Sequence, residues 1–219
     1  MSDTECPQLP VAVKFQEWWA QFPPFWAWTQ TQQAQFAYLY KLVLEGNRKQ
    51  NLTRISAPAD FWEKHLWDSL AGISPYMQTT NWQVIDIGTG AGFPGLPVAI
   101  ACPSWQVTLL DSMRKRTNFV TETVKQLGLT NTQVQTARAE TITGTYDLAL
   151  IRAVGTIPLC LDYCSRLVKV GGRAVLYRGK FDPSELPDSL TWQLVADHYL
   201  PTPLTQADRH YLHFLKHSI

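Results

Sequence analysis

The chain carries little charge and almost no imbalance of sign: 19 lysines and arginines face 18 aspartates and glutamates, a formal net charge of +1. Such a balance gives no overall attraction to nucleic acid, so a partner of that kind is held by local patches or not at all. No run of about 18 apolar residues occurs, and a membrane-spanning helix is excluded on that ground. The opening MSDTECPQLP lacks the basic-then-apolar pattern of a secretory leader. Cys6, Cys102, Cys160 and Cys164 form no CxxC pair. Cys160 and Cys164 sit one helical turn apart, which suits buried thiols better than metal ligands or a disulfide. A cytoplasmic monomer with no membrane association is the expectation. At 219 residues and 45% hydrophobic content, the chain is long enough for one globular domain plus a small extension.

What is present is concentrated in WQVIDIGTGAGFPG, residues 82–95. Val84, Ile85 and Ile87 read as a buried parallel strand, interrupted by the acid Asp86. The strand empties into Gly88, Gly90, Gly92 and Gly95, where positive φ and close approach of a ligand are both permitted. Asp111, followed by Ser112, closes the next apolar run, where a carboxylate is placed to accept from a ribose diol. Gly90-x-Gly92-x-x-Gly95 with Asp111 further on also matches the dinucleotide fingerprint. Three features favour S-adenosylmethionine over NAD. Asp86 stands where that fingerprint wants an apolar residue; Pro94 and Pro97 fall where a long helix would begin; and the roughly 120 residues that follow leave little room for a second catalytic domain. Acidic and carbonyl groups at a strand end also suit a sulfonium and an ammonium better than a pyrophosphate.

Residues 11–72 read as helical, with Phe36, Leu39, Tyr40, Val43 and Leu44 at helical spacing and Gly46 as a candidate C-cap. Ser56 and Pro58 mark a further helix start. The aromatics Trp18, Trp19, Phe22, Phe25, Trp26 and Trp28 are expected in the core. Strands are expected at 83–88, 106–111, 132–137, 146–151, 173–178, 192–199 and 210–216. Helices are expected at 95–101, 114–127, 156–169 and 184–190. The alternation predicts an α/β fold with a seven-stranded, mostly parallel, Rossmann-like sheet (residues 76–219) behind a helical N-terminal extension (residues 1–75). Ligands in such sheets lie beyond the carboxyl ends of the strands.

HLWDSL (65–70), IDIGTGAGFPG (85–95), VTLLDSMRKRTNFV (107–120), ARAE (137–140) and IRAV (151–154), taken in order, resemble one family, the bacterial 16S ribosomal RNA guanine-N7 methyltransferases. That resemblance implies a class I S-adenosylmethionine-dependent methyltransferase fold, with Gly88 and Phe93 lining the cofactor pocket. It further implies that Ala139 and Glu140 flank the adenine and that Arg152 reaches the cofactor. The implied substrate is one guanine in a 16S rRNA loop near the decoding centre, on the small ribosomal subunit. The chain departs mildly from the family at Ile151, where many members have Ser, and at Tyr177-Arg178-Gly179, where many have Leu-Lys-Gly. Arg178 or Lys180 must substitute for that lysine if it touches RNA.

Chemistry agrees with the resemblance. Guanine N7 is an in-plane lone pair that needs no deprotonation, so positioning matters more than a general base. No residue set stands out as acid–base or nucleophilic machinery, and no catalytic residue is assigned. The Asn/Asp-Pro-Pro-aromatic motif of exocyclic-amine methyltransferases is absent after the fourth strand, where Arg152-Ala153-Val154 stands. Local basic groups offer RNA contacts: Arg114, Lys115 and Arg116 in the first turn of a helix, Arg178 and Lys180, and Arg48, Lys49 and Arg54 in a second patch. His65 and Asp68, three apart on a helix face, read as a structural pair near the site entrance, with His65 also a candidate RNA contact. Two further readings stay open, a nicotinamide-dependent oxidoreductase and a non-catalytic rRNA-binding assembly factor.

Overall fold

The computed structural model describes residues 27–53, 55 and 57–218. The expectations for Cys6, for Trp18, Trp19, Phe22, Phe25 and Trp26, for Arg54 and Ser56, and for helix over 11–26 lie outside the described residues.

Helix α1 (Gln30–Gln50) starts at Thr29, whose hydroxyl accepts from the Gln32 amide while the Gln32 side chain accepts from the Thr29 amide. It runs through Gly46 and ends at Asn51 in the left-handed conformation. Gly46 is therefore no cap. A Cβ there would lie 2.4 Å from the Phe119 ring, so the glycine lets two helices approach closely. The chain then leaves helical geometry, and helix resumes at α2 (Pro58–Phe61), with Pro58 in the first turn where its missing N–H costs nothing. A π-helical turn (Trp62–Trp67) and α3 (Asp68–Ala71) continue it.

Beyond these come β1 (Gln83–Ile87), α4 (Gly95–Ala101), β2 (Gln106–Asp111), α5 (Arg114–Leu127), β3 (Thr132–Thr136) and β4 (Tyr146–Arg152). The chain closes with α6 (Ile157–Leu167), β5 (Val168–Arg178), β6 (Trp192–Tyr199) and β7 (His210–Lys216). All seven strands form one sheet in the order β3-β2-β1-β4-β5-β7-β6. Pairings among β1 to β5 are parallel, and β7 runs antiparallel to both its neighbours. Two further details differ from the sequence expectation. The sixth helix stops at Leu167, and β5 begins immediately at Val168, passing through Gly171 at φ 77°. The expected helix over 184–190 is a single 3-10 turn, Pro183–Glu185, capped by Asp182.

Side-chain alternation divides the core. Val84, Leu109, Leu150, Val175 and Tyr177 face a layer built from α1, the 58–71 stretch and α4. Ile85, Ile87, Leu110, Ile151 and Leu176 face α6, whose buried stripe is Ile157, Cys160, Leu161, Cys164 and Leu167. Cys160 and Cys164 are free, buried thiols, and burial pushes both upward in pKa, Cys160 to about 11. The N-terminal helices thus share one hydrophobic core with the sheet. That packing brings Lys64, His65 and Asp68 to the carboxyl ends of β4 and β5.

Candidate cofactor and substrate clefts

The glycine-rich turn is shaped from inside by Asp86. This carboxylate, with no exposed surface, takes Thr89 Oγ1 at 2.6 Å and the Gly95 amide at 2.8 Å on Oδ2. One acid therefore ties the end of β1 to the first turn of α4. Burial raises its pKa to about 6 against the pull of both donors. Its Oδ1 is buried without a partner. Gly88 follows at φ 75°, and a Cβ on it would come within 2.8 Å of Val154 Cγ2. Gly95 admits Asp86 and Leu109 for a similar reason, since a Cβ there would lie 2.1 Å from Leu109 Cδ2.

Asp111 ends β2 almost wholly buried. Its Oδ2 accepts from the Gly90 amide at 3.0 Å and faces Arg116 Nη1 at 3.4 Å, while Oδ1 accepts from the Met113 amide at 2.9 Å. Two consecutive strand ends are thereby locked to one loop. Gly88, Asp111, Ser112, Ala139 and Glu140 all line one pocket of about 270 Å³, together with Arg116, Arg138, Val154 and Tyr163. Asp86, Gly90, Gly92 and Phe93 do not line it. Asp86 and Gly90 hold the loop; a Cβ at Gly92 (φ 96°) would collide with Leu96; and the Phe93 ring is buried against Phe61 and His65. The glycine-walled pocket with the Asp111 carboxylate on its lining, at the carboxyl end of β2, fits S-adenosylmethionine.

A second cleft, of about 550 Å³, opens at the ends of β4 and β5. Lys64, Arg152, Arg178, Lys180 and Arg209 line it, with His65, Tyr177 and the single acid Asp68. Ala153, in the left-handed conformation at φ 57°, belongs to both clefts. Arg152 turns to this second cleft rather than to the pocket beside Gly88. Its Nη1 donates to the Lys64 carbonyl and to Asp68 Oδ2, both at 2.9 Å, and its Nη2 donates to His65 Nδ1 at 3.2 Å. Hence Nδ1 is the unprotonated ring nitrogen, and Nε2–H points to Thr53 Oγ1 at 3.2 Å. Burial, then the Arg152 charge, holds the His65 pKa well below its usual value. His65 and Asp68 do not form the structural pair expected from their spacing; they converge on Arg152 instead.

Arg114, Lys115 and Arg116 are exposed around the start of α5, beside the smaller pocket and outside the larger cleft. Arg178 is anchored by Glu185 at 2.8 Å, whereas Lys180 is exposed. Arg48 and Lys49 lie in the last turn of α1, where cations favour the helix dipole and need no ligand to explain them. Lys64, Asp68 and Arg209 are cleft residues that the cofactor and RNA assignments from the sequence omit, and only HxxDSL drew attention to that stretch.

The architecture is shared with solved methyltransferases. A precorrin-6y C5,15-methyltransferase from Geobacter metallireducens aligns at TM-score 0.50 and 14% identity, over 68% of this chain and 87% of that one. A 16S rRNA (adenine(1408)-N(1))-methyltransferase from Catenulisporales acidiphilia, solved with its cosubstrate, aligns at TM-score 0.51 and 17% identity, over 66% and 89%. The fold is that of the class I S-adenosylmethionine-dependent methyltransferases. The family model described as rRNA small subunit methyltransferase G matches residues 32–200. Curated relatives of that name are 48% identical over 209 residues in Trichormus variabilis, covering 87% of this chain and 85% of the relative. In Thermosynechococcus vestitus the figures are 46% over 200 residues, 84% and 87%. The chain belongs to the rRNA small subunit methyltransferase G family, and the nicotinamide reading falls away.

Proposed function

We propose that this chain transfers a methyl group from S-adenosylmethionine to N7 of one guanine in 16S rRNA, presented by the small ribosomal subunit. The observation that carries this reading is the meeting of two unlike clefts at Ala153, one glycine-walled with a ribose-ready carboxylate, the other cationic. The cofactor supplies a methyl activated on a sulfonium. The chain's own residues supply position and charge. Asp111 accepts from the ribose hydroxyls, Gly88 lets the backbone approach, and Ala139 with Glu140 borders the adenine. In the second cleft Lys64, Lys180 and Arg209 face the phosphates, with Arg178 beside them. His65 faces the junction as a neutral imidazole already engaged at both nitrogens. That is consistent with a reaction in which no proton must leave the nucleophile. The exposed Arg114, Lys115 and Arg116 extend the positive surface past the cofactor pocket. We assign the protein to the cytoplasm as a monomer; among the described residues no helix is long and apolar enough to cross a membrane.

The test is transfer of labelled methyl to small subunits that lack the modification, followed by digestion to nucleosides. Label in 7-methylguanosine at one position is the expected result. Cofactor binding without transfer to subunit or naked rRNA would favour the non-catalytic assembly factor instead.

A further inference from the structure

Arg152 is held more completely than a lining residue requires. A guanidinium carries five N–H groups, and three of them are engaged by one stretch of helix: the Lys64 carbonyl, Asp68 Oδ2 and His65 Nδ1. The π-helical turn over Trp62–Trp67 explains why a mid-helix carbonyl is available. At its end the Asp68 amide reaches back to the Glu63 carbonyl, so the i→i−4 ladder is interrupted and the Lys64 oxygen can accept from outside the helix. Asp68 is fixed from its other side, Oδ1 accepting from Tyr211 Oη at 3.1 Å and Arg209 Nε at 3.2 Å. His65 is fixed by stacking on Phe93, ring centroids 4.1 Å apart and nearly parallel, and by Thr53. The Arg152 side chain nevertheless keeps 18% of its surface exposed, at the residue before the junction alanine.

We propose that Asp68 and His65 are positioning residues for methyl transfer. They aim the Arg152 guanidinium at the edge shared by the two clefts, where its two remaining N–H groups take an oxygen acceptor. That acceptor is either the cofactor carboxylate or the guanine O6, the one Hoogsteen-edge acceptor left when N7 is the nucleophile. The second source rests on the function proposed above; the first does not.

A staple that merely joins helix to sheet would use the same bonds, so the test must read coupling. Asp68→Asn, Arg152→Ala and the double variant are compared by calorimetric affinity for S-adenosylmethionine and by kcat/KM for the small subunit at saturating cofactor. Asp68→Asn is expected to weaken one of these by about tenfold to a hundredfold in the wild-type background and by less than about twofold once Arg152 is gone. A loss in cofactor affinity identifies the carboxylate, and a loss in kcat/KM alone identifies O6. His65→Gln, which keeps an acceptor for Arg152, should retain most activity, whereas His65→Ala should not. Glu63→Gln serves as the stability control: Glu63 lies in the same turn but binds the Leu204 and Thr205 amides instead. If Asp68→Asn lowers Tm as Glu63→Gln does while both readouts stay unchanged, the proposal is overturned. Equal losses with and without Arg152 overturn it too. Should the wild type transfer no methyl to subunits, the functional reading fails, and cofactor affinity alone decides: unchanged affinity in Asp68→Asn then overturns the proposal.

Discussion

The two clefts differ in what builds them. The glycine loop that walls the smaller pocket is held by residues close in sequence: Asp86 reaches nine residues to Gly95, and Asp111 reaches 21 to Gly90. Backbone amides and carboxylates hold that loop together, and glycine conformation sets its shape. The cationic cleft is assembled across the chain, with Arg152 bonded to Asp68 over a separation of 84 and Tyr211 to Asp68 over 143. Its polar lining side chains come from the 58–71 helical stretch, from β4 and β5, and from the segments after β5 and before β7. A short motif fixes the first kind of site, whereas the second exists only once the N-terminal helices have docked on the sheet.

Substitution should break the two regions differently. The largest effect is expected from Gly88→Val. A β-branched residue at φ 75° costs more than the about 1–2 kcal/mol of a left-handed residue, and its side chain meets Val154. Affinity for S-adenosylmethionine, measured by calorimetry, should fall by about a hundredfold or more. Asp111→Ala removes the acceptor of two loop amides, so a loss of about 1–3 kcal/mol is expected, read as a tenfold to hundredfold weaker cofactor. Neither change should alter affinity for the small subunit.

The regions should also respond oppositely to acid. Asp86 has a folded-state pKa near 6, above its unfolded value of 3.8. The folded state thus binds more protons between these limits, and this group's contribution declines as pH rises from about 4 to 6. His65 is held well below 6.5, so the unfolded state binds more protons beneath that value and stability falls as pH drops. Each slope is bounded by about 1.4 kcal/mol per pH unit. Tm measured between pH 4.5 and 6.5 should therefore become more acid-sensitive in Asp86→Asn and less so in His65→Gln. The smallest effect belongs to Lys180→Ala, which should flatten the dependence of log affinity for rRNA on log salt by about 0.7–0.9 and leave cofactor binding intact.

Much of this division was legible beforehand. Strand spacing and the four glycines are local signals, and all seven strands fall on the expected stretches, β5 alone starting five residues early. Gly46 misled because a glycine late in a helical pattern reads as a cap, while its real cause, the Phe119 ring, lies 73 positions away in sequence. The early end of the sixth helix was hidden because Val168-Lys169-Val170 suits helix and strand alike until pairing with β4 decides. Phe93 belongs to a recognisable motif, yet which cleft its ring serves depends on His65, contributed by a different element. Lys64 and Asp68 are four apart in one helical stretch, but neither carries a spacing signal toward Arg209 or Arg152, so only the tertiary packing unites them.

The comparison itself is most directly tested by two affinities measured on two variants, S-adenosylmethionine and the small subunit against Asp111→Ala and Lys64→Ala/Lys180→Ala. A clean exchange is predicted: the first variant loses cofactor and keeps subunit, and the second loses subunit and keeps cofactor. If both variants lose the same ligand, or if removing the two lysines leaves subunit affinity unchanged, the assignment of separate cofactor and RNA clefts is wrong.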